Sequence, residues 1–327
     1  MSSITQSTPA SQRLGLLGAP QPLAMPRGSA AAALARDYAE LIKARVTTLI
    51  VMTAWCGFYF GAAQSGVSSL SWTLLHALLG IGLVSGGTAA MNEVVERDMD
   101  ALMRRTAMRP LVKQSISVEH ATVVSLAMIF GGLLYLAIAT NLLTAGLTLL
   151  TSFVYLVAYT PLKKVTPLCT FVGAFPGAMP PVLGWTAVRG QLEWEAFVLF
   201  AIVFFWQFPH FHSIALLYRD DYERAGIRML PVVERSGVST AQAILVYGLA
   251  LIPVTVAPFL MGISGRGYFL GAVVLGIAQF CFCLRIWREK LAPSQPRAKV
   301  MARQLLQATV LYLPLLFALM MINSINY

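Results

Sequence analysis

Apolar residues run along this chain in nine long blocks separated by short polar segments. The block cores fall near residues 46–64, 73–92, 119–139, 142–160, 168–188, 195–217, 240–262, 267–285 and 303–323. A helix needs roughly 20 such residues to cross a hydrocarbon layer of about 30 Å. Barrel strands would be only about ten residues long and would alternate. Backbone groups in lipid must be bonded within their own segment, so the blocks predict helices. The pattern therefore gives an all-α, polytopic membrane protein with nine transmembrane helices.

The loop charges orient the helices. With the N-terminus inside, 22 of the 24 Lys and Arg residues fall on the cytoplasmic side. Five precede the first span, five follow the second, two the fourth, four the sixth and six the eighth. Only Arg189 and Arg266 remain outside. This is the bias of the positive-inside rule, and a missed or extra helix would scramble it. The N-terminus is thus expected in the cytoplasm and the C-terminus outside.

Composition agrees: 57% of the 327 residues are hydrophobic and 12% are charged, about half the charged fraction of a soluble domain. The net charge of +10 is spread over loops without a continuous basic stripe, so no nucleic-acid partner is expected. Cys56, Cys169, Cys281 and Cys283 lie in or beside apolar spans without metal-site spacing and read as small buried hydrophobes. Residues 1–37 are rich in Ser, Ala, Pro and Gly and lack the apolar core of a secretory signal. They read as a disordered cytosolic tail, with an organellar transit peptide left open, before a membrane domain over 38–327.

Half of the 14 acids occur in two places, Glu93, Glu96, Asp98 and Asp100 after the second span, and Asp220, Asp221 and Glu223 after the sixth. Acids contribute little to orientation, so this concentration calls for another reason. Asn92, Glu96 and Asp100 are spaced i, i+4, i+8 and share a helix face, while Asp98 points away. Such oxygen donors suit Mg²⁺, which takes one or two carboxylates and completes its shell with water and substrate phosphate. The first and last donors are about 12 Å apart along a straight helix, so either the helix end unwinds or two metals flank a longer anion. Arg97, Arg104, Arg105, Arg109 and Lys113 follow. Cations beside such acids fit an anionic ligand, and a solvated, salt-bridged loop is the plainer alternative.

The sixth span ends in Trp206-Gln207-Phe208-Pro209-His210-Phe211-His212. Ionisable groups inside a span are candidates for function, and Pro209 is expected to deform the helix beside His210. His212 reads as a histidine bonded to a neighbouring helix. Lys163 and Lys164, after Tyr159-Thr160-Pro161, add charge to the same rim. Gly173, Gly177 and Gly184, with Pro176, Pro180 and Pro181, fit either a cavity-lining helix or close packing alone. A rim of acids and cations over an apolar interior suits a diphosphate with a long apolar tail. Ionisation at an allylic carbon would need a dry pocket with aromatic faces. Tyr155, Tyr159, Trp185, Trp206 and Phe208 are candidates.

Asn92-xxx-Glu96-xxx-Asp100, followed by Leu102-Met103-Arg104-Arg105-Thr106 and Arg109-Pro110-Leu111, resembles the first acidic motif of the intramembrane prenyltransferase superfamily, in the form of its haem-farnesylating family. Trp206 to Phe211, and Asp221-Tyr222-xx-Ala225-Gly226-xx-Met229-Leu230-Pro231-Val232-Val233, resemble that family's second signature. Tyr159 to Lys164, with Gly177-Ala178-xx-Pro181-xx-Gly184-Trp185, resembles a third. The resemblance runs from Tyr38 to the C-terminus.

It implies nine helices around a central cavity and transfer of farnesyl from farnesyl diphosphate to a vinyl group of haem b. It also implies Mg²⁺ held by Asn92, Glu96 and Asp100 with help from Asp220 and Asp221. Arg105, Arg109, Lys163 and Lys164 would hold the diphosphate, and His210 would face the haem. A cell inner membrane is expected ahead of a mitochondrial one, and a haem A synthase or an oxidase assembly factor is the kind of partner it implies. Two departures stand out: Glu96 replaces the more usual Asp, and a second DxxxD is absent. The rivals are a prenyltransferase acting on a quinone or chlorophyll precursor, and an ion-coupled transporter. Transporter sites usually lie near the bilayer midplane, unlike these rim acids.

Overall fold

The computed structural model describes residues 27–324. Residues 1–26 of the expected unstructured tail lie outside the described residues. Residues 27–37 belong instead to a helix, α1 (Arg27–Leu41). Nine helices among the described residues are long and apolar enough to span a membrane. The first five are α2 (Ala44–Ser65), α3 (Trp72–Asp100), α4 (Val118–Ala139), α5 (Leu142–Leu162) and α6 (Cys169–Arg189). After α7 (Trp194–Leu217) come two short helices, α8 (Arg219–Arg224) and α9 (Leu230–Val233). The last three spans are α10 (Val238–Leu260), α11 (Arg266–Glu289) and α12 (Pro296–Ile322). No strand occurs among the described residues.

Polar side chains at the span edges set several starts. The Ser71 and Ser117 hydroxyls accept from Leu74 and His120 backbone N–H groups, opening α3 and α4. Asn141 Oδ1 accepts from Thr144 N and opens α5, with only Thr140 and Asn141 separating it from α4. Gly66, at φ 64°, ends α2 in the left-handed conformation that glycine tolerates.

The helices run beyond the apolar blocks at the charged end. α3 continues to Asp100, so Glu93, Glu96 and Asp100 belong to a helix that neither unwinds nor ends before them. α5 continues through a π-helical turn, Val154–Tyr159, to Leu162, so the helix carries past its apolar block and through Pro161. Hydropathy falls before the backbone hydrogen bonding does, so polarity marks the membrane edge and not the helix end.

Neighbouring spans pack in sequence, and the bundle closes on itself. α3 packs on α2 and α4, α2 on α6, and α7 on α6, α10 and α12. α12 meets α2, where the Tyr59 hydroxyl lies 2.9 Å from Ser324 Oγ. One apolar core, including Trp185, Leu199, Tyr268 and Leu316, joins α6, α7, α11 and α12. A second, including Phe58, Ile81, Leu136 and Leu183, joins α2, α3, α4 and α6. Close packing accounts for the α6 glycines. A Cβ at Gly184 would fall on the Ala54 carbonyl, and one at Gly57 on the Pro181 carbonyl, so the α2 and α6 backbones touch.

Candidate active site at the charged rim

The i, i+4, i+8 set on α3 faces inward. Asn92, Glu96 and Asp100 are 0%, 6% and 1% exposed, while the Asp98 side chain between them is 87% exposed. Each inward donor meets a cation from a different segment. Lys43, between α1 and α2, donates to Asn92 Oδ1 at 2.8 Å. Lys163, just past α5, donates to Glu96 Oε1 at 2.7 Å. Arg109, in the α3–α4 connection, donates to Asp100 Oδ2 at 2.5 Å. Asn92 also donates to Thr160 Oγ1 at 3.1 Å, locking α3 to the end of α5.

Glu93 adds a fourth inward oxygen group. It is 1% exposed, and Arg109 Nε approaches its Oε1 at 3.4 Å as an ion pair. That contact lacks hydrogen-bond geometry, so neither carboxylate oxygen has a hydrogen-bond partner. Burial works against the Arg109 charge, but Asp100 and Glu93 outweigh it and raise its pKa. For Lys163 burial likewise opposes the charge, and Tyr159 and Glu96 outweigh it. Lys163 Nζ sits 4.5 Å from the Tyr159 ring centroid, a cation–π contact that the π-helical turn makes possible.

The second acid run folds over the end of α3. Tyr222, Ala225, Ile227 and Met229 form one cluster with Met99 and Met103. The Arg228 backbone N–H donates to the Lys163 carbonyl at 2.7 Å. The carboxylates themselves are engaged locally: Asp221 pairs with Arg224, and Asp220 with Lys299 at 2.7 Å and Arg219 at 3.5 Å. Among the described residues neither acid is bonded to a member of the first set. Arg105 stacks over the Tyr218 ring at 5.3 Å, and Lys164 is exposed beside the inward Lys163.

On α7, Trp206 and His210 stack with ring centroids 4.7 Å apart, and both bond to Thr309 of α12. Phe208 stacks on Tyr247 at 3.6 Å instead of facing open space. Trp185 is fully buried, and its indole donates to Glu193 beyond the opposite end of α6, so it presents no face to the rim. Lys43 and Thr309 carry no sequence signal of a role in the site, and Glu93, though part of the first acid run, falls outside the i, i+4, i+8 set. Lys43 counts only as an orienting charge, and Thr309 lies in an apolar span remote in sequence from His210.

No three His, Cys, Asp or Glu side chains among the described residues gather tightly enough to hold a metal ion by themselves. The donor set nevertheless fits Mg²⁺, which needs only one or two carboxylates when water and phosphate oxygens complete its shell. The two unbonded Glu93 oxygens show that oxygen donors remain available there.

Nine spans among the described residues, with buried acids and cations gathered at one end, are the frame of a polytopic membrane protein with a charged, inward-facing site. The profile of the UbiA prenyltransferase family matches residues 50–322. A protoheme IX farnesyltransferase of Koribacter versatilis is 67% identical over 303 residues, 93% of this chain and 97% of that one. Another, of Solibacter usitatus, is 45% identical over 298 residues, 88% and 98% of the two chains. The chain belongs to the UbiA prenyltransferase family, among its protoheme IX farnesyltransferases. Solved structures share the fold. A digeranylgeranylglyceryl phosphate synthase superposes with a TM-score of 0.73 at 14% identity, over 89% of this chain and 99% of that one. A UbiA homolog from Archaeoglobus fulgidus bound to GPP and Mg²⁺ superposes with 0.55 at 19% identity, over 87% and 99%.

Proposed function

We propose that this protein transfers a farnesyl group from farnesyl diphosphate to a vinyl group of haem b, giving haem O, in a cell inner membrane. The observation that carries this reading is the 67% identity, across 97% of its length, to a protein named protoheme IX farnesyltransferase. The site chemistry supports it. The allylic C–O bond breaks with its electron pair on the departing diphosphate. The terminal vinyl carbon of haem then attacks the farnesyl carbon. Water captures the cation left on the adjacent carbon and loses a proton, leaving the hydroxyethylfarnesyl side chain.

Bound Mg²⁺ would neutralise the diphosphate oxygens as charge builds on them. Asn92 and Asp100 lie too far apart on the unbroken α3 to share one ion, so Asn92, Glu96 and Asp100 would divide between two ions flanking the diphosphate, with Asp220 and Asp221 at the edge of the site. Arg105, Arg109, Lys163 and Lys164 would grip the diphosphate. The pairs Lys163–Glu96 and Arg109–Asp100 store this arrangement: each neutralises charges that the ions and the diphosphate would otherwise take up. Tyr159 and Trp206 would shield the allylic cation, and His210 would face the haem. Haem O made here would feed the next haem-modifying enzyme or an oxidase assembly factor.

The test is production of haem O by this chain in cells that lack it. Pigment extracts should contain haem O with the native chain and none with Asp100→Asn at equal membrane levels. A prenylated quinone in place of haem O would reassign the acceptor, and full activity of Asp100→Asn would remove the rim from the chemistry.

A further inference from the structure

The protein's four histidines have different partners. His76 Nδ1 meets the Tyr135 hydroxyl, His120 Nε2 meets the Tyr38 hydroxyl, and His212 Nδ1 bonds the Phe208 carbonyl of its own helix. His210 alone is held from another span by a hydroxyl that is itself committed. Thr309 Oγ1 lies 2.7 Å from the Leu306 carbonyl and 3.0 Å from His210 Nδ1. A hydroxyl has one proton, and a carbonyl can only accept. Both bonds form only if Thr309 donates to Leu306 and accepts from His210. Nδ1 therefore carries the ring proton, and Nε2 keeps its lone pair.

The rest of the surroundings fixes the ring's plane. The Trp206 indole lies against it at an interplanar angle of 23°. Trp206 Nε1 in turn donates to the Thr309 carbonyl at 2.8 Å, so one fully buried residue anchors both rings. Nε2 has no hydrogen bond among the described residues, and it is absent from the buried groups that lack one, so it reaches an accessible surface. A neutral imidazole, fixed in tautomer and plane by a partner on its far nitrogen, is how proteins prepare a histidine for a metal.

We infer that His210 Nε2 is an axial ligand to the iron of the haem substrate and that Thr309 is the positioning residue that fixes it. This rests on haem being the acceptor. Iron ligation would tether the porphyrin inside the bundle, and Leu217, where α7 ends, lies only about 10 Å further along the helix. The porphyrin edge would then sit below the rim where the diphosphate departs. Ligation is reversible and involves no electron transfer, so product leaves by exchange of the iron–nitrogen bond.

The experiment is titration of the purified full chain in detergent with haem b, read by optical and electron paramagnetic resonance spectra. The native chain should give a histidine-ligated spectrum. His210→Gly should lose it, and added imidazole should restore it. Thr309→Val should weaken haem affinity about tenfold or more and change the spectrum, while Thr309→Ser, which keeps the hydroxyl, should behave as native. Equal unfolding temperatures for the two Thr309 variants would exclude a packing effect. Haem bound with the same spectrum in His210→Gly, or a spectrum lost in His212→Ala instead, would overturn the ligation while leaving haem as acceptor. No haem binding and no haem O from the native chain would overturn both.

Discussion

Glu96 and Lys163 meet at 2.7 Å with little water around either. Removing one member of such a pair strands the other charge and costs about 3 kcal/mol or more, whereas removing both is far milder. Glu96→Gln should therefore lower the unfolding temperature in detergent and abolish haem O formation. The double variant Glu96→Gln/Lys163→Met should recover much of the stability and none of the activity. Recovery of both would make the pair purely structural. The acids of this site are legible in the sequence because i, i+4, i+8 spacing fixes a shared face whatever surrounds the helix. Their partners are not. Lys43, Arg109 and Lys163 come from three segments, and only the packing of those segments decides which cation meets which acid.

The helices themselves follow closely from apolar block length, and their contacts follow from small residues. α2 and α6 approach until their backbones touch at Gly57 and Gly184. Gly184→Val should force them apart and destabilise the protein by about 1–3 kcal/mol, seen as a lower unfolding temperature with less haem O per cell. Gly131, which has open space around it, should accept alanine without loss. The far end of α6 carries a second device. Arg189 Nη2 donates to Glu193 at 2.6 Å, and Trp185 donates to the same carboxylate. The Arg189 hydrogen bond, foremost, holds the Glu193 pKa below its usual value. A carboxyl depressed on folding stabilises above its unfolded pKa of about 4.3, and that contribution fades as pH falls through the lower folded value. Thermal unfolding scanned from pH 6 downward should show this loss in the native chain and not in Glu193→Gln. The π-helical turn in α5 escaped sequence reading because Val154–Tyr159 is as apolar as its flanks. It is a response to packing, and it brings Tyr159 over Lys163.

The chain as a unit is arranged by charge. With 22 of 24 basic residues on one side of the predicted topology, a reporter active only outside the cytoplasm should be active when fused after the C-terminus. Fused in the α3–α4 connection, it should be silent. The reverse pattern would turn the whole bundle over and place the acid rim outside. The two acid runs also end up together only through the bundle's closure, where the segment after α7 lies on the end of α3.

Sequence by itself determined the number of spans and the face that carries Asn92, Glu96 and Asp100, and it predicts the orientation. Each of these depends on local quantities: hydropathy summed over a block, charge counted over a loop, and the angle between residues on one helix. Tertiary structure alone decided that Lys163 turns inward while Lys164 turns out, that Trp185 belongs to the opposite end, and that Thr309 fixes the His210 ring. Those outcomes depend on which helices become neighbours, and an apolar span looks the same to its own sequence whichever neighbour it finds.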